Sequence, residues 1–461
     1  MIFSSTIFLF IFLPAVLILN YLIPKKYIAA KNIVLLAASL LFYAWGEPKN
    51  VLLMLLSIAV NYICGRLLGK YEGNVKARRA VLIVSLVFNL GMLFFFKYFN
   101  FVTGGIFTEI ALPIGISFFT FQIMSYTIDV YLGNVPPQKD PAKLALYISL
   151  FPQLIAGPIV RYIDVEKELT YRECTAEKTA KGMIRFSMGL AKKVIISNTV
   201  ALVADTIFMI DSGLVSVTAW AGVICYALQI YFDFSGYSDM AIGMGHMFGF
   251  NFLENFNYPY ISSSVQEFWR RWHISLSSWF RDYLYIPLGG NRKGLGRTYL
   301  NLFIVFAATG FWHGASWNFL VWGLFHGLFM IIERLGFGKI LKKLPKIVGW
   351  LYTMLVVLIG WVFFRAETLT DAFEYLGAMF SFSGGLVNAA AQFSNLSFFI
   401  AIIAIILCVP VFPFVKKKAE ATVIGARVFM AAETVLMAVL IVLSVIFLTG
   451  SDYNPFIYFR F

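Results

Sequence analysis

The chain has 461 residues and a formal net charge of +13; 60% of its residues are hydrophobic and 18% are aromatic. Because soluble domains are about 45–50% apolar, this composition excludes an ordinary soluble domain and predicts a multi-pass protein of the cell membrane. The basic excess would suggest nucleic acid as the partner of a soluble protein. Here the Lys and Arg residues lie in short loops between apolar runs. Membrane orientation and contact with anionic lipid headgroups explain them better, so no nucleic-acid partner is expected.

Apolar runs of membrane length predict an all-α, polytopic membrane protein with one integral membrane domain over residues 1–461. The runs lie, in chain order, near residues 2–22, 32–46, 50–69, 80–96, 111–132, 143–160, 190–210, 216–241, 298–313, 317–333, 347–364, 396–414 and 428–449. At about 20 residues per span, the length supports about eleven transmembrane helices, and the other runs are expected to be re-entrant, interfacial or buried. Pro113, Gly115 and Pro152 make 111–132 and 143–160 the best re-entrant candidates.

The distribution of basic residues predicts the orientation of the chain in the membrane. Three lysines follow the first apolar run, and the loops at 65–80, 334–346 and 415–427 are rich in Lys and Arg. By the positive-inside rule these loops face the cytoplasm, whereas the segment 383–395, which has no Lys or Arg, is expected outside. Both ends of the chain are then expected on the outer side. The four cysteines are scattered without a CxxC pair and predict neither a disulfide framework nor a metal site.

The segment 267–288 combines aromatic and basic residues at helical spacing. Its apolar and aromatic residues fall on one side of a predicted helix, and Arg270, His273, Ser277 and Arg281 fall on another stripe. One interpretation is an interfacial amphipathic helix whose aromatic rings and arginines lie at headgroup level. The other is a basic, histidine-bearing ledge that binds a phosphorylated donor. The two interpretations are not exclusive.

His313 lies in the sequence Gly-Phe-Trp-His-Gly, inside an apolar region of membrane length. An imidazole exchanges its proton near neutral pH, and a bare one is unfavourable deep in lipid, so His313 is expected to face a cavity or a partner. A satisfied packing histidine is the alternative. For His326, whose neighbours are all apolar or small, packing is the stronger interpretation. Gly310 and Gly314 allow a close backbone approach or a break in the helix.

Two carboxylates, Asp233 and Asp239, lie in another apolar run, with Ser235, Tyr237 and Ser238 between them. Carboxylates inside a membrane serve as proton relays, ion sites or structural contacts between helices. The structural role is favoured, with bonds to hydroxyl groups or to a buried arginine.

The order of four motifs resembles the membrane-bound O-acyltransferase family. The motifs are FPQLIAGPIVR at 151–161, YFDFSGYSDMAIG at 231–243, the run from ENFNYPYI to IPLGGNR at 254–292, and GFWHGASWNFLVWGLFHG at 310–327. The start of the chain, with LFYAWGEP at 41–48, is similar to the bacterial alginate O-acetylation branch of the family. The resemblance covers nearly the whole chain, and the two histidine motifs are its most specific part.

The resemblance implies a membrane O-acyltransferase in which peripheral helices surround a thin core with a central tunnel. His313, in the WHG motif, is implied to be the essential catalytic residue, and His273 is the second characteristic histidine; His246 and His326 are not carried over. The residues expected to bind substrate are Arg270, Arg281, Trp312 and Asn255. Among these, Arg270 and Arg281 with His273 are expected to hold the donor on the cytoplasmic side.

The expected donor is acetyl-CoA, with no bound cofactor and no metal ion, and the expected acceptor is an extracytoplasmic polysaccharide. A partner acyltransferase outside the membrane is expected to finish the transfer. D-alanyl transfer to teichoic acid, an acyl-carrier transporter without catalysis, and a scaffold for polysaccharide export are the alternatives. Acyl transfer needs a base and a means of holding oxyanion charge, so His313 acts either as the base or as a nucleophile that forms an acyl-histidine. The sequence has no GxSxG motif and so lacks a conventional hydrolase triad.

Overall fold

A computed structural model describes residues 2–105, 111–155, 157–210, 212–450 and 453–457. These residues form helices and connecting loops, with no β-strand among them. The labelled helices are α1 (Phe8–Leu22), α2 (Ile28–Gly46), α3 (Asn50–Lys70), α4 (Val75–Lys97), α5 (Ile116–Leu132), α6 (Pro141–Ser149), α7 (Ala176–Phe208), α8 (Ser216–Phe248), α9 (Val265–Arg271), α10 (Ile274–Phe280), α11 (Leu295–His313), α12 (Trp317–Leu341), α13 (Lys346–Arg365), α14 (Leu369–Met379), α15 (Asn395–Leu407), α16 (Val411–Ala419) and α17 (Val423–Gly450). Helical pieces of three to five residues at Phe99–Thr103, Phe151–Leu154, Tyr162–Val165, Pro259–Ile261 and Leu386–Ala390 are left unlabelled.

The helices confirm an all-α, multi-pass membrane protein. Within the described residues, eight helices are long and apolar enough to cross a membrane, and the count is nine if α15 and α16, bent by 60° at their break, form one span. The expected count of about eleven is therefore not confirmed. Among the other predicted runs, α5 has 17 residues, α6 has nine, and α1 is apolar but is one of the shorter helices, whereas α11 has 19 residues and still is not among the eight.

The chain divides into two compact units. Unit 1 comprises Met1–Phe186 and Tyr237–Glu254, and unit 2 comprises Ser187–Gly236 and Asn255–Phe461. Both candidate catalytic histidines belong to unit 2. The single membrane domain over 1–461 stays a prediction.

In unit 1 a buried polar network joins α3, α4 and α5. Asn61, Ser85, Asn89 and Thr127 are fully buried. The Asn89 amide donates to the side-chain oxygen of Asn61 (2.8 Å), and the Ser85 hydroxyl donates to the same oxygen (2.7 Å). Polar side chains that bond to one another across apolar helices stabilise helix packing in a membrane, so this network holds three helices of unit 1 together.

The two predicted re-entrant runs differ in the structure. In the run 143–160, α6 ends at Ser149, and Leu150 breaks the helix before the short piece Phe151–Leu154, as the interruption by Pro152 suggests. Ala156, in the same run, lies outside the described residues. In the run 111–132, Pro113 and Gly115 precede the helix instead of interrupting it, and α5 is continuous over 17 residues.

Both intramembrane carboxylates form ion pairs. In unit 1, Asp239 contacts Arg185 at 2.6 Å, so its partner is an arginine as expected, but the Arg185 side chain is 32% exposed instead of buried. In unit 2, Asp233 instead pairs with Lys193 at 2.7 Å, and each side chain is only 1% exposed. The interpretation as structural contacts thus holds for Asp239, while the partner of Asp233 is a lysine that the sequence analysis did not consider.

In unit 2, α11 and α12 form a tightly packed hairpin. Cβ atoms added at Gly310 and Gly323 would overlap the carbonyl oxygens of Phe319 and Phe306 on the opposite helix. Small residues permit such close approach of membrane helices. The hairpin places His313 at the end of α11, just before the chain turns into α12.

Candidate active site

His273 interrupts the helix that the sequence predicts over 267–288. Its backbone adopts a left-handed conformation (φ 44°), so α9 ends before it at Arg271 and α10 begins after it at Ile274. Asn255 explains the break, because its main-chain oxygen accepts the Ile274 N–H (3.0 Å) and its side-chain oxygen accepts the Ser275 N–H (3.2 Å). These are first-turn amides of α10, which need acceptors from outside the helix. The expectation of one continuous helix is therefore wrong.

The same amide oxygen fixes the protonation pattern of His273. Asn255 Oδ1 lies 3.1 Å from His273 Nδ1 and 2.9 Å from the Ser275 hydroxyl. The atom bonded to the Ser275 N–H must be an acceptor, so it is an oxygen, and His273 Nδ1 must donate to it. In a neutral imidazole the lone pair is then on Nε2.

Burial keeps the His273 ring neutral. The residue is 1% exposed and lies outside the candidate membrane spans. Desolvation lowers the pKa of its imidazole to about 3. Near neutral pH, His273 therefore carries Nδ1–H toward Asn255 and a lone pair on Nε2, which is able to accept a proton or attack a carbonyl.

His313 is the last residue of α11, 3% exposed, inside a group of aromatic rings. The centroids of the Trp312 and Trp322 rings lie 5.0 Å from its imidazole, and that of Phe364 lies 5.2 Å away. Gly314 follows it, and a Cβ there would overlap the Phe319 ring. The second glycine of the motif thus makes room for an aromatic side chain beside the histidine.

Trp312 connects the two histidines. Its ring centroid lies 6.1 Å from the His273 ring and 5.0 Å from the His313 ring. Phe234 contacts His273 with its edge, at 4.6 Å between centroids. Two imidazoles 40 residues apart in sequence are thereby both placed next to one indole within unit 2.

Known proteins resemble the chain over its entire length. The family model described as "MBOAT, membrane-bound O-acyltransferase family" matches residues 138–364, a range that includes both histidines. A protein of Pseudomonas putida named as a probable alginate O-acetylase AlgI is 40% identical over 100% of both chains. The chain belongs to the membrane-bound O-acyltransferase family. It is an O-acyltransferase and a multi-pass membrane protein.

Two further relatives of this acyltransferase differ in the names they carry. A peptidoglycan O-acetyltransferase of Helicobacter pylori is 38% identical and covers 86% of the chain and 83% of its own length. A teichoic acid D-alanyltransferase of Bacillus subtilis is 29% identical over 47% of the chain and 58% of its own length. The similarity to the two O-acetyl-transferring relatives is thus both higher and more extensive.

The remaining residues expected to bind substrate lie in two different settings. Asn255 and Trp312 are buried beside the histidines, where Asn255 uses its side-chain oxygen to hold His273 and Ser275. Arg270 and Arg281 are exposed, and Arg281 forms an ion pair with the adjacent Asp282 at 2.7 Å. Because the chain breaks at His273, the two arginines no longer share a stripe of one helix.

His326 packs in the interior of unit 2, as its sequence context suggests. It is fully buried against Trp269 (5.2 Å between ring centroids) and Trp322 (5.4 Å). Neither of its ring nitrogens has a hydrogen-bond partner among the described residues. A Cβ added at Gly360 would lie 2.5 Å from its Nε2, so this glycine provides the space for the ring. His246, the fourth histidine, belongs to unit 1.

The sequence analysis missed several residues that surround the two histidines. They are Phe234, Ser275, Trp322 and Phe364. Ser275 was recognisable as a hydroxyl two residues after His273, and Trp322 as the third tryptophan of the segment 310–327. Phe234 and Phe364 gave no signal, because a phenylalanine in an apolar helix resembles every other core residue.

Metal-ligating side chains do not cluster in the described residues: no group of three or more His, Cys, Asp or Glu is placed to hold a metal ion. The four cysteines are buried and free. The candidate site brings together two buried imidazoles, the Ser275 hydroxyl and the Asn255 amide.

Proposed function

We propose that the chain transfers an acetyl group from a cytoplasmic thioester, acetyl-CoA, toward O-acetylation of an extracytoplasmic polysaccharide. One observation carries the proposal: two buried imidazoles lie next to Trp312, and one of them is neutral with a defined lone pair. The names and the high coverage of the two O-acetyl-transferring relatives support acetyl as the acyl group and a polysaccharide as the acceptor.

In the base-catalysed route, His313 removes the proton of the acceptor hydroxyl as its oxygen attacks the thioester carbonyl. The new C–O bond forms, negative charge collects on the carbonyl oxygen, and the C–S bond then breaks. The thiolate leaves with the proton that the imidazolium returns, so the histidine ends neutral. His273, with Nδ1 held by Asn255, presents Nε2 as a second acceptor and keeps an uncharged environment beside Trp312.

In the covalent route, a histidine nitrogen attacks the thioester carbonyl itself and the thiolate leaves from an acyl-histidine. The thiolate takes the ring proton, which leaves a neutral acyl-histidine. The acceptor hydroxyl then attacks that acyl group, the C–N bond breaks, and the hydroxyl proton returns to the imidazole, so the histidine ends neutral. The two routes are distinguished by incubating the purified chain with [¹⁴C]acetyl-CoA in the absence of acceptor. Label retained on the chain after denaturation supports the acyl-histidine, and an unlabelled chain that is active once acceptor is added supports the base.

The exposed arginines have a role in this scheme that does not require contact with the histidines. Coenzyme A carries phosphate groups, and Arg binds phosphate well because its guanidinium offers two parallel donors. Arg270 and Arg281 are accessible for this purpose. We therefore assign them to donor binding, with changes in KM for acetyl-CoA as the expected effect of replacing them.

The decisive test measures transfer of label from [¹⁴C]acetyl-CoA by membranes that contain the chain, with alginate oligosaccharides and peptidoglycan fragments as separate acceptors. Extracts that supply an extracytoplasmic acyltransferase are included, because a partner is expected. We expect His313→Ala to abolish transfer while the protein still inserts, and His273→Ala to impair it. His326→Phe is the matched control, since it replaces a buried histidine that lies outside the proposed chemistry. Full activity of His313→Ala would refute the proposal.

The same preparation separates the alternatives. D-alanyl transfer predicts label in teichoic acid only from a D-alanyl carrier protein and none from acetyl-CoA. A transporter predicts substrate flux without covalent change, and a scaffold predicts that every histidine is replaceable.

A further inference from the structure

The segment 453–457, which follows α17, packs into unit 2. Phe456 is 5% and Ile457 is 8% exposed. The Asn198 amide donates to the main-chain oxygen of Tyr453 (3.4 Å) and to the side-chain oxygen of Asn454 (3.2 Å), and the Tyr453 hydroxyl bonds to Asp205. The segment is thus held by side chains in the C-terminal half of α7.

The same segment completes the surroundings of the Lys193–Asp233 ion pair. Lys193 Nζ donates to the main-chain oxygen of Pro455 and to the Asn198 side-chain oxygen (2.9 Å). The main-chain N–H of Ile457 donates to Asp233 Oδ2 (2.9 Å). A buried ion pair is stable only when additional hydrogen bonds satisfy the charges, and here residues 455 and 457 supply one bond to each partner.

Asp233 also borders the candidate active site, because the next residue on α8 is Phe234. The Phe234 ring contacts the His273 imidazole edge-on at 4.6 Å and 83°. Tyr231 lies three residues before Phe234 on the same helix. Its ring centroid is 6.2 Å from that of Trp272, the residue that precedes His273. Within one turn of α8, Asp233 therefore forms the ion pair while Phe234 contacts His273.

We propose that residues 453–457 form a strap that holds Asp233 through the Ile457 amide and thereby positions Phe234 against His273. Asp233, Ile457 and Phe234 are in this view positioning residues, which act on the reaction through His273. The proposal rests on the proposed function for its effect on activity, but its structural part is measurable without any activity.

The test removes a single N–H. Ile457→Pro deletes the donor to Asp233, since proline has no amide hydrogen, while Ile457→Val keeps the amide and is the matched control. In Ile457→Pro we expect kcat for acetyl transfer to fall about tenfold, the size of one lost hydrogen bond to a charged group, with KM for acetyl-CoA unchanged. Amide hydrogen exchange of residues 274–277, next to His273, should accelerate in the same variant and stay at the wild-type rate in Ile457→Val.

A double-mutant cycle with Phe234→Leu tests the route from strap to site. If the strap acts through Phe234, Ile457→Pro adds little further loss of kcat in the Phe234→Leu background. Additive effects, or an Ile457→Pro chain that matches Ile457→Val in both kcat and exchange, would overturn the proposal. If Ile457→Pro fails to accumulate, Asp233→Asn in the full chain takes its place, because it weakens the acceptor of the same bond. Unchanged exchange at residues 274–277 in that variant would overturn the proposal.

The exchange measurement keeps the two proposals distinguishable. Absence of acetyl transfer by the wild-type chain would refute the proposed function, while faster exchange at 274–277 in Ile457→Pro would still support the strap. Unchanged exchange in a chain that transfers acetyl groups would refute the strap alone.

Discussion

Replacement of Asn255 by alanine tests whether one amide oxygen sets the position and tautomer of His273. That oxygen lies within 3.2 Å of three donors: the His273 ring, the Ser275 amide and the Ser275 hydroxyl. The hydroxyl is free to rotate toward another acceptor, but the ring N–H and the backbone N–H are not. A buried donor without an acceptor costs about 1–3 kcal/mol, so we expect Asn255→Ala to lower the free energy of unfolding by about 2–6 kcal/mol.

Asn255→Ala should also lower the activity of the molecules that still fold. Without Asn255 nothing defines which nitrogen of His273 carries the proton, so the neighbour of the proposed base His313 no longer presents a fixed lone pair. We therefore expect acetyl transfer per folded molecule to fall about tenfold in Asn255→Ala, the size of one lost hydrogen bond. The assay combines the transfer rate at saturating acetyl-CoA with the amount of monodisperse protein in detergent.

Asn255→Asp is the control, because a carboxylate still accepts all three hydrogen bonds. Its negative charge favours the imidazolium, so the pKa of His273 should rise from about 3. The variant should fold and should show a new loss of activity on the acidic side of its pH profile. Wild-type transfer rates in Asn255→Ala, or identical losses in both variants with unchanged pH profiles, would refute the assigned role of this oxygen.

Three further predictions concern packing and pH. Gly310→Ala should reduce the yield of folded protein, because the new Cβ meets a backbone carbonyl of α12 that cannot rotate away. Expression as a fluorescent fusion measures this yield. Gly296→Ala is the control, because a Cβ at that position has open space. Asn89→Leu should lower the unfolding temperature in detergent, since it leaves Asn61 without two of its buried bonds, whereas wild-type stability would show that the network contributes nothing. The pKa of His273 is lower in the folded chain than its usual 6.5, so the unfolded chain binds more protons between about pH 6.5 and 3. As the pH is lowered from about 6.5 toward about 3, the free energy of unfolding should fall by up to about 1.4 kcal/mol per pH unit. Above that window this histidine should have no effect on stability. In His273→Phe the pH dependence should disappear.

The sequence was sufficient for the features that depend on local pattern. Apolar runs predicted nearly every long helix, and the glycines around His313 predicted a close approach and a helix end, both of which the structure contains. The two histidine motifs identified the family, and they also selected the pair of imidazoles that both contact Trp312.

The features that the sequence did not predict depend on contacts between distant residues. Helical spacing extends through His273, and only the bonds from Asn255, 18 residues earlier, show that the helix must break there. Asp233 likewise has no cation nearby in sequence, because its partner Lys193 is on another helix and its second donor is Ile457. A periodic pattern describes which face of a helix is apolar, but it carries no information on which distant group will satisfy a polar atom.

The placement of the two histidines at opposite helix ends separates their roles. His273 immediately precedes α10, where the helix dipole disfavours a positive charge, and His313 ends α11, where the dipole favours one. A general base becomes positively charged as it takes the hydroxyl proton, so this charge is better tolerated on His313. The dipole contributes about 0.3–1 kcal/mol at each end, roughly a factor of 2–5 in rate, which is small beside the contribution of the base itself. The dipole therefore supports the proposal that His313 is the base and His273 its uncharged neighbour.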